Sequence, residues 1–166
     1  MKSKAKSGFT YTVETYDAQG RLLDRDVVKN LMPIEGANHM LAVTAGIAAQ
    51  APSWWIGLYA NNYTPVDLDT AATFPAAAGE FTQYNGTTRK QFIPGSPSNG
   101  TLDNGASKAE FVFTHDVTVY GGFIASASGK GATTGVLWSA VKFTSPKSPG
   151  VGGMLRITAG NIIVSA

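Results

Sequence analysis

The stretch Trp54-Trp55-Ile56-Gly57-Leu58-Tyr59-Ala60-Asn61-Asn62-Tyr63-Thr64-Pro65 decides how the rest of the chain is read. It opens on the densest aromatic run of an otherwise small and polar sequence and closes on an Asn-Asn-Tyr-Thr-Pro turn signal, the pattern of a strand entering a loop. Alternation places Trp54, Ile56 and Leu58 on one face and Trp55, Gly57 and Tyr59 on the other. Both faces then carry apolar bulk, which requires a strand covered on both sides. A central strand is expected here. The two tryptophans admit two readings: core side chains, since large aromatics dominate core burial, or anchors on a partner subunit, since Trp and Tyr concentrate at interface centres.

Upstream of this strand, Phe9 to Tyr16 alternates strictly, with Phe9, Tyr11 and Val13 on one face and Thr10, Thr12 and Glu14 on the other. That is the signature of a half-buried strand. Asp17-Ala18-Gln19-Gly20 reads as a turn and Arg21 to Asn30 as the return strand, so a hairpin is expected, its mixed charges forming a solvated face. Met40, Val43, Thr44 and Ile47 then recur at helical spacing between Pro33 and Pro52, which predicts a single short helix over about residues 36–49. His39 falls in it without a second histidine or paired carboxylate at i+3 or i+4, so no metal site is expected.

Downstream, residues 61–105 hold Pro65, Pro75, Pro94 and Pro97 and the turn-forming pairs Asn85-Gly86, Asn99-Gly100 and Asn104-Gly105. A long loop region is expected, interrupted by short strands at Gly79 to Tyr84 and Arg89 to Ile93. Irregular chain of this length usually has a use, which makes it a place to look for partner contacts. Alternation returns at Lys108 to Thr114, Thr118 to Ala125, Thr134 to Phe143 and Met154 to Thr158. The turns between these segments are too short for crossover helices, so the strands pair antiparallel. The total of seven to nine strands predicts an all-β fold, a two-sheet antiparallel sandwich of jelly-roll type.

Composition sets outer limits. The 166 residues suffice for one domain with its own core, expected over residues 8–166. Only 14% are charged, and there is no cysteine, which excludes disulfides, thiolate metal sites and cysteine nucleophiles. No segment approaches the ~18 apolar residues of a membrane span. Residues 1–7 read as a flexible basic arm: without Lys2, Lys4 and Lys6 the thirteen basic residues fall to ten, against eleven acidic ones. No apolar run follows these lysines, so a secretory signal is not expected and synthesis in the cytoplasm is. No basic stripe interleaved with aromatics points to direct nucleic-acid binding.

The chemistry-bearing motifs are sparse. His115-Asp116 is the nearest approach to an acid/base pair, but it sits at a turn, and sequence neighbours diverge in a strand. Ser128 to Gly135 has the glycines and lysine of a phosphate loop without their order, and no helix follows it, so a hairpin tip is expected. The sequons at Asn85 and Asn99 lack a secretory context. No enzyme, cofactor or metal is expected from these residues.

The runs Gly57-Leu58-Tyr59 with Asn62-Tyr63-Thr64-Pro65, Ala72-Thr73-Phe74-Pro75-Ala76, Ala106 to Phe111, Tyr120 to Ile124, Lys130 to Gly135 and Leu155 to Gly160 resemble a family of small structural proteins of tailed bacteriophages. The resemblance covers most of the chain from Gly8 onward. It implies a virion component, by analogy a head decoration or cement protein seated on the capsid exterior, binding the major capsid protein and itself as a homo-oligomer, with a dimer favoured over a trimer. The family pattern brings no catalytic residue. The alternative is a tail-fibre, spike or neck-associated binding module that takes host glycan on exposed aromatics. The expected partner contacts are Lys2, Lys4, Lys6, Trp54, Trp55, Tyr59, Tyr63 and Tyr84.

Overall fold

Strict alternation in β1 (Ala5–Tyr16) buries Phe9, Tyr11, Val13 and Thr15 and leaves the residues between them half-exposed. The computed structural model describes residues 5–165, with side chains described over 7–163. From the turn at residues 17–20, where Gly20 adopts φ 79 and Asp17 accepts the Arg21 N–H at 2.8 Å, the chain returns as β2 (Leu22–Lys29). The expected hairpin is present. On its other side β1 pairs antiparallel with β10 (Met154–Ser165) along its whole length, from Ala5↔Ser165 to Tyr16↔Met154. Two short strands, β6 (Thr101–Asp103) and β7 (Ala109–Val112), pair with the far edge of β10 and complete the first sheet. Residues 5–7 are therefore part of a strand and not of the basic arm, because β10 continues past Thr158 and supplies partners for them. Lys2 and Lys4 lie outside the described residues, as does the Lys6 side chain.

The aromatic stretch is the middle of the second sheet. There β3 (Trp54–Tyr59) pairs with β8 (Val119–Ala125) on one side and with β4 (Glu80–Phe81) and β5 (Lys90–Phe92) on the other, and β9 (Leu137–Lys147) lies beyond β8. Both faces of β3 are covered, as its composition requires. Ile56 and Leu58 join Phe9, Tyr11, Val13, Phe111, Leu155 and Ile157 in the core between the sheets. Tyr59 packs in a second cluster on the outer face with Ala71, Phe74, Ala78 and Phe123. Glycines make room for these rings across the β3–β8 ladder. Gly57 stands opposite Phe123 and Gly121 opposite Tyr59, and a Cβ on either glycine would fall within 2.3 Å of the facing ring. A glycine inside a strand thus marks a close approach here.

The outer cluster is roofed by α2 (Phe74–Ala78), which lies within the expected loop region. Pro75 belongs to its first turn, where a missing N–H costs nothing, and Gly79 ends it at φ 66. A second helix is thus hidden where the prolines suggested only loop. The predicted helix is α1 (Ile34–Thr44), shorter than its apolar spacing suggested, because Gly46 at φ 71 terminates it before Ile47. With ten strands and two helices among the described residues, the chain is an all-β, two-sheet antiparallel sandwich.

The two sheets are linked at both sides of the sandwich. On one side Leu31 bridges Ala140 of β9, Asp26 accepts the Thr144 N–H at 2.8 Å, and the buried Lys147 ammonium sits between Asp24 and Asp26. Part of the charge on β2 therefore serves as a clamp between sheets and not as a solvated face. On the other side Tyr84 bridges Phe113, and Asn85 accepts the Val112 N–H through its side chain at 3.0 Å.

Candidate functional site

The aromatic surface around Trp54 begins with a glycine. A Cβ at Gly36 would lie 2.8 Å from the carbonyl oxygens of both Leu137 and Trp138, so only glycine lets α1 approach the backbone of β9 this closely. Glu35 fastens the same end of the helix, its Oε2 accepting the N–H groups of Ala71 at 2.8 Å and Leu137 at 2.6 Å. The opposed surfaces then bring His39 and Met40 of α1 over Trp54 of β3 and Trp138 of β9. The two indoles lie 4.6 Å apart at 39°, His39 stands edge-on to Trp54 at 5.7 Å, and Phe9 supports Trp138 from the core at 4.7 Å. Trp138 Nε1 donates to Met40 Sδ at 3.1 Å.

Two depressions flank Trp54. One, of about 170 Å³, is bounded by His39, Met40, Val43, Thr44, Gln50 and Trp138. The other, of about 240 Å³, runs from residues 50–53 to Gln91 and Pro94. Indole, thioether, amide and hydroxyl groups line them, and no carboxylate, ammonium or guanidinium does. Such a surface can receive an apolar or neutral ring-shaped group. It offers one imidazole and no partner acid for proton transfer.

Elsewhere several charged groups hold loops. Arg89 and Glu80 form a bidentate pair with side chains only 1% and 3% exposed. Arg89 also donates to the carbonyls of Ala127 and Ala132, and its guanidinium lies 4.9 Å over the Phe123 ring. In the stretch that looked like a phosphate loop, Lys130 donates to the carbonyls of Thr82, Tyr84 and Gly86 at 2.9, 2.8 and 2.7 Å and lies 3.8 Å over the Tyr84 ring. Burial pulls its ammonium below the ordinary lysine value, with nearby Lys90 adding to the effect. His115 is exposed and shares a hydrogen bond with Thr114 Oγ1 at 3.0 Å. Among the described residues no three His, Asp or Glu side chains converge as metal ligands.

Of the aromatic residues expected at a contact, Trp54, Trp55 and Tyr63 are half-exposed. Tyr63 also has an internal task, donating its hydroxyl to Asp69 at 2.7 Å, a bond that raises its pKa. Tyr59 and Tyr84 are buried within the domain and belong to its core, which corrects their reading as contact residues. Burial pushes both phenols upward. Tyr59 donates to the carbonyl of Val141 at 3.0 Å, and Tyr84 packs between Phe81 and Phe111.

Trp138 belongs to the surface, yet alternation along β9 does not select it. Ala125 pairs with Leu137 and Ile124 with Ser139, so Trp138 is the extra residue of a β-bulge. The bulge turns its indole toward the space between the sheets, on the side of Ser139 and Val141, where simple alternation would point it outward. Comparison with protein-family models, curated proteins and solved structures finds no match to the chain.

Proposed function

We propose that the chain is a virion structural protein, a decoration or cement protein that binds the major capsid protein on the exterior of a phage head. The observation that carries this reading is the uncharged aromatic surface at Trp54, mounted on a sandwich in which Arg89, Glu80, Lys130 and Lys147 are spent on internal latches. A sandwich latched at both sides and carrying an apolar contact surface suits a subunit that stabilises a shell by binding its assembled form. The resemblance to small phage structural proteins supplies the kind of partner. Lys2 and Lys4 would add a basic arm on an acidic patch of a shell subunit, with Lys6 at the start of β1 beside it, each exposed charge contact contributing at most about 1 kcal/mol and weakening with salt.

Copy number tests the proposal. Densitometry of purified particles is expected to show hundreds of copies; a handful per particle would overturn the decoration role. Deleting residues 2–4, which leaves the paired residues of β1 in place, is expected to weaken retention on particles and to flatten its salt dependence. Unchanged retention across a salt series would remove the arm from the proposal.

A second reading, a tail-fibre, spike or neck module binding a neutral glycan, draws on the same lining. Indole faces, the amides of Gln50 and Gln91 and the hydroxyls of Thr44 and Ser53 suit an uncharged sugar ring. A low copy number, together with loss of glycan-array binding in Trp54→Ala, would favour it.

A further inference from the structure

Between Gly36 and Val66 the chain carries no Asp, Glu, Lys or Arg, although charged residues make up 14% of the whole. Much of this stretch is surface. Helix α1 turns Gly36 and Met40 toward β9, and its other side, comprising Ile34, Asn38, Leu41, Thr44 and Ala45, is exposed. Leu41 in the middle of that side is 68% exposed, and Ile47 in the turn beyond is 82% exposed. The Ile34 N–H donates to the carbonyl of Asp67 at 2.9 Å, which sets the exposed Val66 and Leu68 beside the start of the helix. These five aliphatic side chains offer on the order of 500 Å² of apolar surface, at the upper end of what a monomer shows as one patch.

We infer that a second copy of this chain covers the outer face of α1, the two helices packing antiparallel across a two-fold axis near Leu41. Charge selects this occupant. At a two-fold axis each residue meets its own copy, so a formal charge near the axis would oppose a like charge, and this face has none. The nearest acids stand at the N-terminal end of the helix. Glu35 is already engaged with Ala71 and Leu137, and antiparallel packing carries Asp67 of one copy away from Asp67 of the other. Area agrees. From Ile34 to Thr44 the helix is about 15 Å long at the helical rise, with Ile47 in the turn beyond, and the apolar surface of the strip matches a roughly 65% share of the ~800 Å² that each partner buries in a stable interface of standard size. The inference is independent of the capsid reading, because it concerns the isolated protein.

Sedimentation equilibrium of the full-length protein is expected to give twice the 17.4 kDa chain mass. Leu41→Lys and, separately, Ile47→Lys change exposed side chains and are expected to weaken the dimer at least about tenfold while leaving the far-ultraviolet spectrum unchanged. The chain has no cysteine, so Leu41→Cys provides a direct probe. Mild oxidation is expected to link it into a covalent dimer, and Val151→Cys, in the β9–β10 turn, is expected to remain a monomer under denaturing conditions. A wild-type monomer, or a dimer that persists in both lysine variants, would overturn the inference. So would a monomer whose Leu41→Lys variant loses binding to phage shells, since the face would then belong to the capsid.

Discussion

Arg89 and Glu80 meet as a two-pronged ion pair inside the second sheet, Nε to Oε1 at 2.9 Å and Nη2 to Oε2 at 2.7 Å. Glu80 also accepts the Gly131 N–H at 3.0 Å, and Arg89 holds two carbonyls of the same loop, so the pair ties residues 127–132 to the edge of β4. Breaking one partner strands the other charge in the interior. Arg89→Met is expected to cost about 3–5 kcal/mol in urea unfolding, and Glu80→Leu with Arg89→Met less than the single change. A single variant within about 1 kcal/mol of wild type would show that water reaches Glu80.

Lys130 satisfies three carbonyls of the 82–86 segment with one ammonium. Lys130→Met keeps the aliphatic stem and leaves those acceptors short of a donor. The expected loss is about 1.5–3 kcal/mol, with earlier proteolysis at residues 82–88, and Lys130→Arg is expected to recover only part of it because a planar fork does not match three convergent oxygens. Limited proteolysis beside thermal melts checks both statements.

Asp26 provides a dependence on acid. Burial pushes its carboxyl up, but the bonds from Thr144 and the ammonium of Lys147 outweigh burial and hold it below the ordinary value of 3.8. The unfolded chain therefore takes up the proton first as pH falls. The contribution is complete above the unfolded-state value and is lost as pH drops through the lower folded-state value. Urea midpoints from about pH 5 to about pH 2.5 are expected to fall less steeply in Asp26→Asn than in wild type, the difference amounting to about 1 kcal/mol or less for this partly solvated group.

The paired tryptophans are expected to separate in their effects. Trp54 packs on Trp138 and His39 and lines both depressions, so Trp54→Ala is expected to cost about 2–3 kcal/mol and to shift the fluorescence of Trp138. Trp55 lies half-exposed on the opposite face of β3, and Trp55→Ala is expected to cost about 1 kcal/mol. Equal losses in thermal unfolding would mean that Trp55 is as firmly packed as Trp54.

Period-two patterning was enough to establish the strands and their faces. Phe9, Tyr11 and Val13 turn inward as their alternation requires, and the doubly apolar β3 is covered on both sides. The first hairpin and the antiparallel pairing followed from turn residues and connection lengths, which act over a few residues and are written locally. Among the described residues ten strands form where seven to nine were expected: the short β4 and β5 fall within the expected segments 79–84 and 89–93, and the added strand is β6, which takes its partner from the distant β10 and carries little pattern of its own.

The site was less legible, since it depends on elements that local pattern does not relate. Trp54 stood out as an aromatic, but Trp138 joins it only because a bulge in β9 reverses the alternation there. Met40 and His39 reach the pair only because Gly36 admits the helix to within contact of β9. Tyr59 and Tyr84 looked like contact residues and are core, since the roof over one and the Lys130 latch beside the other come from chain far away in sequence. Side-chain periodicity is a property of the local backbone and is written in the sequence residue by residue. Which faces are covered, and by what, depends on long-range packing, and only the folded chain decides it.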